Sequence, residues 1–230
     1  MTTVAAPPRR RPRRDWPIIT GLFLLALVPS LAGGVRAAQL TGGVERTAAN
    51  ARFVDQPAPV LVHIVAVVLF AFLGALQLAP RFRQRHRRWH RISGRVVAVA
   101  GLAVALSGLW MTAFYDLPDS DNAVTNAARY VVGTLMLASI VLGFAAIRRR
   151  DFHTHKAWML RAYAIAMGAG TQVFTSLPLL PLDPAGPNYP AWRCVAMISA
   201  WVLNLAIAEI IIRRTAPSRR PAAVPTTSVR

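Results

Sequence analysis

Lysine is nearly missing from this chain: Lys156 stands alone beside 26 arginines, and only nine acids occur in 230 residues. Charged residues make up 16% of the sequence and hydrophobic ones 54%, too little polar surface to cover a soluble domain. Such a composition belongs in a bilayer. One cysteine, Cys194, excludes an internal disulfide and any cysteine-built zinc or iron–sulfur site. Also missing are a glycine-rich phosphate loop, a carboxylate pair inside an apolar run, and a Ser/His/Asp set with a nucleophile elbow. Hydrolase and pump chemistry therefore find no support. The net charge of +18 would suit nucleic acid, but its distribution along the chain assigns it to membrane topology, and no nucleic-acid partner is expected.

What is present is a set of six apolar runs, at residues 16–35, 58–80, 92–115, 128–147, 156–177 and 191–212, each bounded by charges or turn residues. A hydrocarbon core about 30 Å thick takes about 20 helical residues, because lipid offers backbone groups no other partner. The expected fold is therefore all-α, a polytopic bundle of six transmembrane spans. Basic residues set its direction, since they stay on the cytoplasmic side during insertion. The N-terminal tail, the 81–95 and 148–161 regions and the C-terminal tail hold 22 of the 27 Lys and Arg, with only Asp15, Asp151 and Glu209 among them. The other six acids lie in the remaining connections, beside Arg36, Arg46, Arg52, Arg129 and Arg193. Both termini are thus expected on the cytoplasmic side of the membrane. Trp16, Trp89, Trp110, Trp158 and Trp192 fall at the expected interfaces, where an amphipathic ring sits well.

The chain divides into a basic tail (1–15), a first anchor with its outer loop (16–57), a four-span core (58–177), a second outer loop with the sixth span (178–212), and a basic tail (213–230). Both tails lack apolar periodicity, so they are expected to be disordered and to lie against anionic lipid headgroups. The first run exceeds the length of a secretory signal core and reads as an uncleaved anchor. Two basic segments echo one another. RFRQRHRRWHRISGRVVAVAGLAV and RRRDFHTHKAWMLRAYAIAMGAG each run from a basic loop through His and a cation to Arg and a small-residue helix. His90 with Arg95 answers His155 with Arg161, which suggests two hairpins, spans 2 with 3 and 4 with 5, related as a parallel repeat.

Few polar groups enter the runs. His63 shares a helical stripe with Phe70, Gly74 and Gln77 and is expected to face the interior, bonded to a neighbouring helix. Glu209 and Arg213, four apart, form the expected ion pair at the inner end of the last span, and Arg161 is expected to snorkel to the interface. His90 and His155 open the third and fifth spans. Two imidazoles at one depth would ligate haem b, with propionates on Arg91, Arg95 or Arg161; a quinone or lipid headgroup is the other candidate for that place.

The strings HIVAVVLFAFLGALQLAPRFRQRHRRWHRISGRV and HKAWMLRAYAIAM resemble the bacterial family of membrane proteins called domain of unknown function 2306, across about residues 58–177. His63, His90, Arg91, Gly94, Arg95, His155, Trp158, Met159 and Arg161 occupy the family's motif positions. The resemblance implies a polytopic inner-membrane protein with no established activity. Its histidine layout is only loosely similar to that of transmembrane b-type cytochromes, because no helix here offers a ligand for each of two haems. The leading functional expectation is a structural or assembly partner among membrane proteins. A haem- or quinone-linked redox protein is the alternative, followed by a small-molecule or lipid carrier.

Overall fold

A computed structural model describes residues 15–215; the two tails expected to be disordered fall almost wholly outside these residues. Among the described residues the chain is all-helical, with no strand. Its helices are α1 (Trp16–Thr41), α2 (Ala51–Asp55), α3 (Pro57–Leu78), α4 (Pro80–Arg85), α5 (Arg87–Phe114), α6 (Ala123–Arg148), α7 (Phe152–Ala166), α8 (Gly168–Thr175) and α9 (Tyr189–Thr215), with a 3-10 turn at Leu177–Leu179. Five of them, α1, α3, α5, α6 and α9, are long and apolar enough to cross a membrane. Arg213, placed by sequence in the C-terminal tail, is still helical in α9.

The fifth apolar run is divided between α7 and α8 at Met167. Asn204 of α9 donates its amide to the Ala164 carbonyl at 3.2 Å, and Thr171 donates to the Asn204 side-chain oxygen at 3.0 Å. A side chain entering the ladder of main-chain bonds is a recognised cause of such a break, and Gly168 and Gly170 lower the cost of interrupting the helix there.

Helix starts follow local chemistry. Asn122 accepts the Thr125 N–H at 2.9 Å to cap α6, and Asp151 accepts the Thr154 N–H at 3.0 Å to cap α7. Those bonds hold the Asp151 carboxyl below its usual range. Asp15, just before α1, accepts the Arg81 N–H at 2.7 Å and so ties the start of α1 to the start of α4.

The surface is inverted relative to a soluble protein. Leu31, Val99, Val131 and Val195 are each about 60% exposed or more on the outside of the bundle, while Ala162, Ser139, Thr125 and Ala200 are wholly buried. Small residues inside allow close helix approach where lipid supplies no hydrophobic drive. The interior centres on Phe70, Tyr163, Ile140 and Met136. Tyr163 of α7 lies against Gly74 of α3, where a Cβ would sit 2.6 Å from its ring, and donates its hydroxyl to the Ala71 carbonyl at 2.9 Å. The main pairings are α3 with α5, α5 with α6, α6 with α7, and α1 with α3. Connections 79–86 and 149–151 gather at one end, called here the basic end. Thr41, α2 and the 115–122 loop gather at the other, the mouth.

Candidate functional site: a cavity open at the mouth

All the long helices contribute to a central cavity of about 550 Å³. That volume lies in the range of roughly 300–1,000 Å³ usual for small-molecule sites. Its deep wall is apolar, built from Val67, Val68, Val104, Met136 and Ile165 with Ala166 and Ala169 at the α7–α8 break.

His63 stands in the cavity wall. Its Nδ1 lies 2.9 Å from Ser107 Oγ on α5, and that hydroxyl donates its only proton to the Ala103 carbonyl at 2.5 Å. Ser107 therefore accepts from Nδ1–H, which leaves Nε2 of His63 as an acceptor. Gln172, Asn126, Thr112 and Ser30 add polar groups around the wall, and Ser30 Oγ is a buried atom with no partner.

Charge collects at the mouth. Asp121, whose side chain is 0% exposed, accepts Arg193 Nε of α9 at 2.7 Å on one oxygen and Arg129 Nη2 of α6 on the other. Arg52 of α2 joins them, donating to the Asp116 carbonyl at 3.3 Å, with its guanidinium 4.7 Å from the centre of the Phe53 ring. Arg36 approaches the same ring at 5.1 Å. Burial lowers the pKa of Arg52, with Arg129 and Arg36 adding to that and Asp121 and Asp116 opposing it. Tyr115 closes the rim by donating to the Gln56 carbonyl at 2.6 Å.

The residues singled out by sequence at the basic end are distributed differently. His90 lies in the first turn of α5, with Nδ1 buried and without a partner. His155, in the first turn of α7, holds its Nδ1 2.8 Å from the Gly143 carbonyl; a carbonyl only accepts, so Nδ1 carries the proton and Nε2 is the free acceptor. Arg83 and His155 lie near His90, and Arg91 and Arg95 are exposed. Gln77 donates to Ser93 Oγ at 2.6 Å, joining α3 to α5.

One expectation needs correction. Glu209 does not pair with Arg213 but with Arg161, at 2.5 and 3.0 Å, and Arg213 is exposed. A bidentate carboxylate–guanidinium fork between α7 and α9 is better aligned than a pair four residues apart on one helix. Arg161, held by Glu209, lies 4.5 Å over the Trp158 ring. The mouth cluster was missed because Arg52, the Asp121–Arg129 segment and Arg193 come from three separate connections. The one available signal was five arginines left among outer acids against the prevailing charge bias.

Helices of this length and hydropathy, apolar outward and small-residue inward, define a multi-pass helical membrane protein. The chain belongs to the family of predicted membrane proteins known as DUF2306, whose model matches residues 60–212 and so runs from early α3 to the end of α9. No curated protein and no solved structure shows a match to the chain.

Proposed function

We propose that this protein is a six-span bacterial inner-membrane protein that holds a small amphipathic molecule in its central cavity, as a binding or carrier protein. One observation carries the reading: a cavity of about 550 Å³ with an apolar interior and a strongly polar mouth. An assembly role would account for the small-residue crossings and the basic tails, but it leaves this cavity without a use. Helices α7 and α8 together serve as the fifth span. The α3–α5 and α6–α7 hairpins form a parallel repeat with His90 and His155 at equivalent places. The basic end faces the cytoplasm and its anionic lipid, so the mouth opens outward. Native mass spectrometry of protein extracted in a non-ionic detergent tests the function. A one-to-one small-molecule adduct is expected on the parent and none on Thr112→Trp, which fills the cavity; bare masses for both would remove the reading.

A second reading concerns the basic end. The orphaned Nδ1 of His90 and the free Nε2 of His155 favour a b-type haem held between α5 and α7, with Arg91 and Arg95 near its propionates. Arg161 is already committed to Glu209. Haem bound there would supply one-electron chemistry. Protein made with added haem should then show reduced-minus-oxidised Soret and α bands, lost in both His90→Ala and His155→Ala. A colourless preparation would exclude it.

A further inference from the structure

The ligand's chemistry is written in the mouth. Arg36, Arg52, Arg129 and Arg193 gather there against two carboxylates, Asp116 and Asp121, of which only Asp121 is buried. Each guanidinium carries several N–H donors. Asp121 takes one from Arg193 and one from Arg129, and the Asp116 carbonyl takes one from Arg52. Most of the donors therefore remain unused. The three arginines lining the cavity come from α2, α6 and α9, so they converge on one volume from different sides. Asp121 sets the directions of Arg129 and Arg193 without cancelling the excess charge. Below the mouth the wall is mostly apolar down to Trp201 and the α7–α8 break, with His63, Thr112, Gln172 and Ser30 as its polar points, which suits a hydrocarbon chain. A ligand with a cationic or a neutral sugar head would leave these guanidiniums unpaired, and an inorganic anion alone would leave the apolar depth unfilled.

We infer that the cavity takes an amphiphile with an oxyanion headgroup, a carboxylate or a phosphate, clamped by Arg52, Arg129 and Arg193, with its hydrocarbon chain running inward past His63 to Trp201. This rests on the reading of the cavity as a ligand site. Arg52 is the main contact, because unlike Arg129 and Arg193 it has no carboxylate bonded to it. Such a headgroup is found both on free single-chain acids and on anionic bilayer lipids.

Trp201, in the cavity wall, reports occupancy. The full chain in a non-ionic detergent is titrated with a chain-brominated fatty acid, with a chain-brominated phosphatidylglycerol, and with the brominated fatty alcohol as a neutral control, while tryptophan fluorescence is read. At least one anionic probe should give saturable quenching that Trp201→Phe abolishes and Arg52→Gln weakens by about tenfold, as for the loss of one charge-assisted hydrogen bond. The alcohol, which needs no variant, should bind more weakly by a similar factor. Quenching by the fatty acid alone identifies a free acid; quenching by phosphatidylglycerol alone identifies a bilayer lipid. An alcohol that binds as tightly as the acids would overturn the headgroup inference and leave the cavity reading in place. No Trp201-dependent quenching by any probe, in protein whose circular dichroism is helical, would overturn both.

Discussion

Asp121→Ala is expected to destabilise the detergent-solubilised bundle by about 2–3 kcal/mol. The carboxylate is fully buried and bonds Arg129 from α6 and Arg193 from α9, so its removal strands two guanidiniums whose side chains are only 25% and 30% exposed. Breaking a fully buried pair costs about 3–5 kcal/mol; partial access of both arginines to water places this case lower. Thermal unfolding should show the loss for Asp121→Ala and no change for Asp119→Ala, an exposed acid two residues away in the same loop. Adding Arg193→Leu to Asp121→Ala should restore part of the stability. Coincident melting of Asp121→Ala and the parent would mean that the cluster does not hold α6 to α9.

Gly170→Ala should cost about 1–3 kcal/mol, the range for overpacking, although alanine is ordinarily the better helix former by about 1 kcal/mol. Pro29 of α1 has no N–H to give the Leu25 carbonyl four residues back. Gly170 of α8 comes against that carbonyl, and a Cβ there would sit 2.2 Å from its oxygen. Neither main chain can yield without moving a helix. Gly34 of α1 meets nothing within 4 Å, so Gly34→Ala should be neutral or stabilising. The opposite signs of these two identical substitutions, read by thermal unfolding, check the α1–α8 crossing; two variants that behave alike would contradict it.

The long helices were legible because an uninterrupted apolar run of about 20 residues has few alternatives in lipid. The division of the fifth run was less so. Its cause is Asn204, 40 residues away from Ala164 on another helix. Gly168 and Gly170 fall in the small-residue helix of the second echoing segment, and Gly170 packs against Leu25. His63 stood out because a lone imidazole in an apolar run needs a partner, but nothing local named Ser107, 44 residues on. Glu209 shows the converse: a plausible partner four residues away lost to Arg161, 48 residues away, because only the latter offers a forked geometry. Cys194, next to Arg193 at the start of α9, is buried and is a poor topological probe.

Substituted cysteines in a Cys194→Ala background test directly whether the bundle encloses a cavity that water enters from the mouth. Single cysteines at Ser30, Val68, Thr112 and Gln172 line the cavity, while Val65, Leu106 and Val131 point to the lipid side, each more than 50% exposed there. A membrane-impermeant methanethiosulfonate added outside intact cells should modify the first group, most rapidly at Thr112 near the mouth, and leave the second unmodified. Equal, negligible reaction at both groups, or reaction of the cavity group only after the cytoplasmic face is opened, would contradict an outward-facing binding cavity.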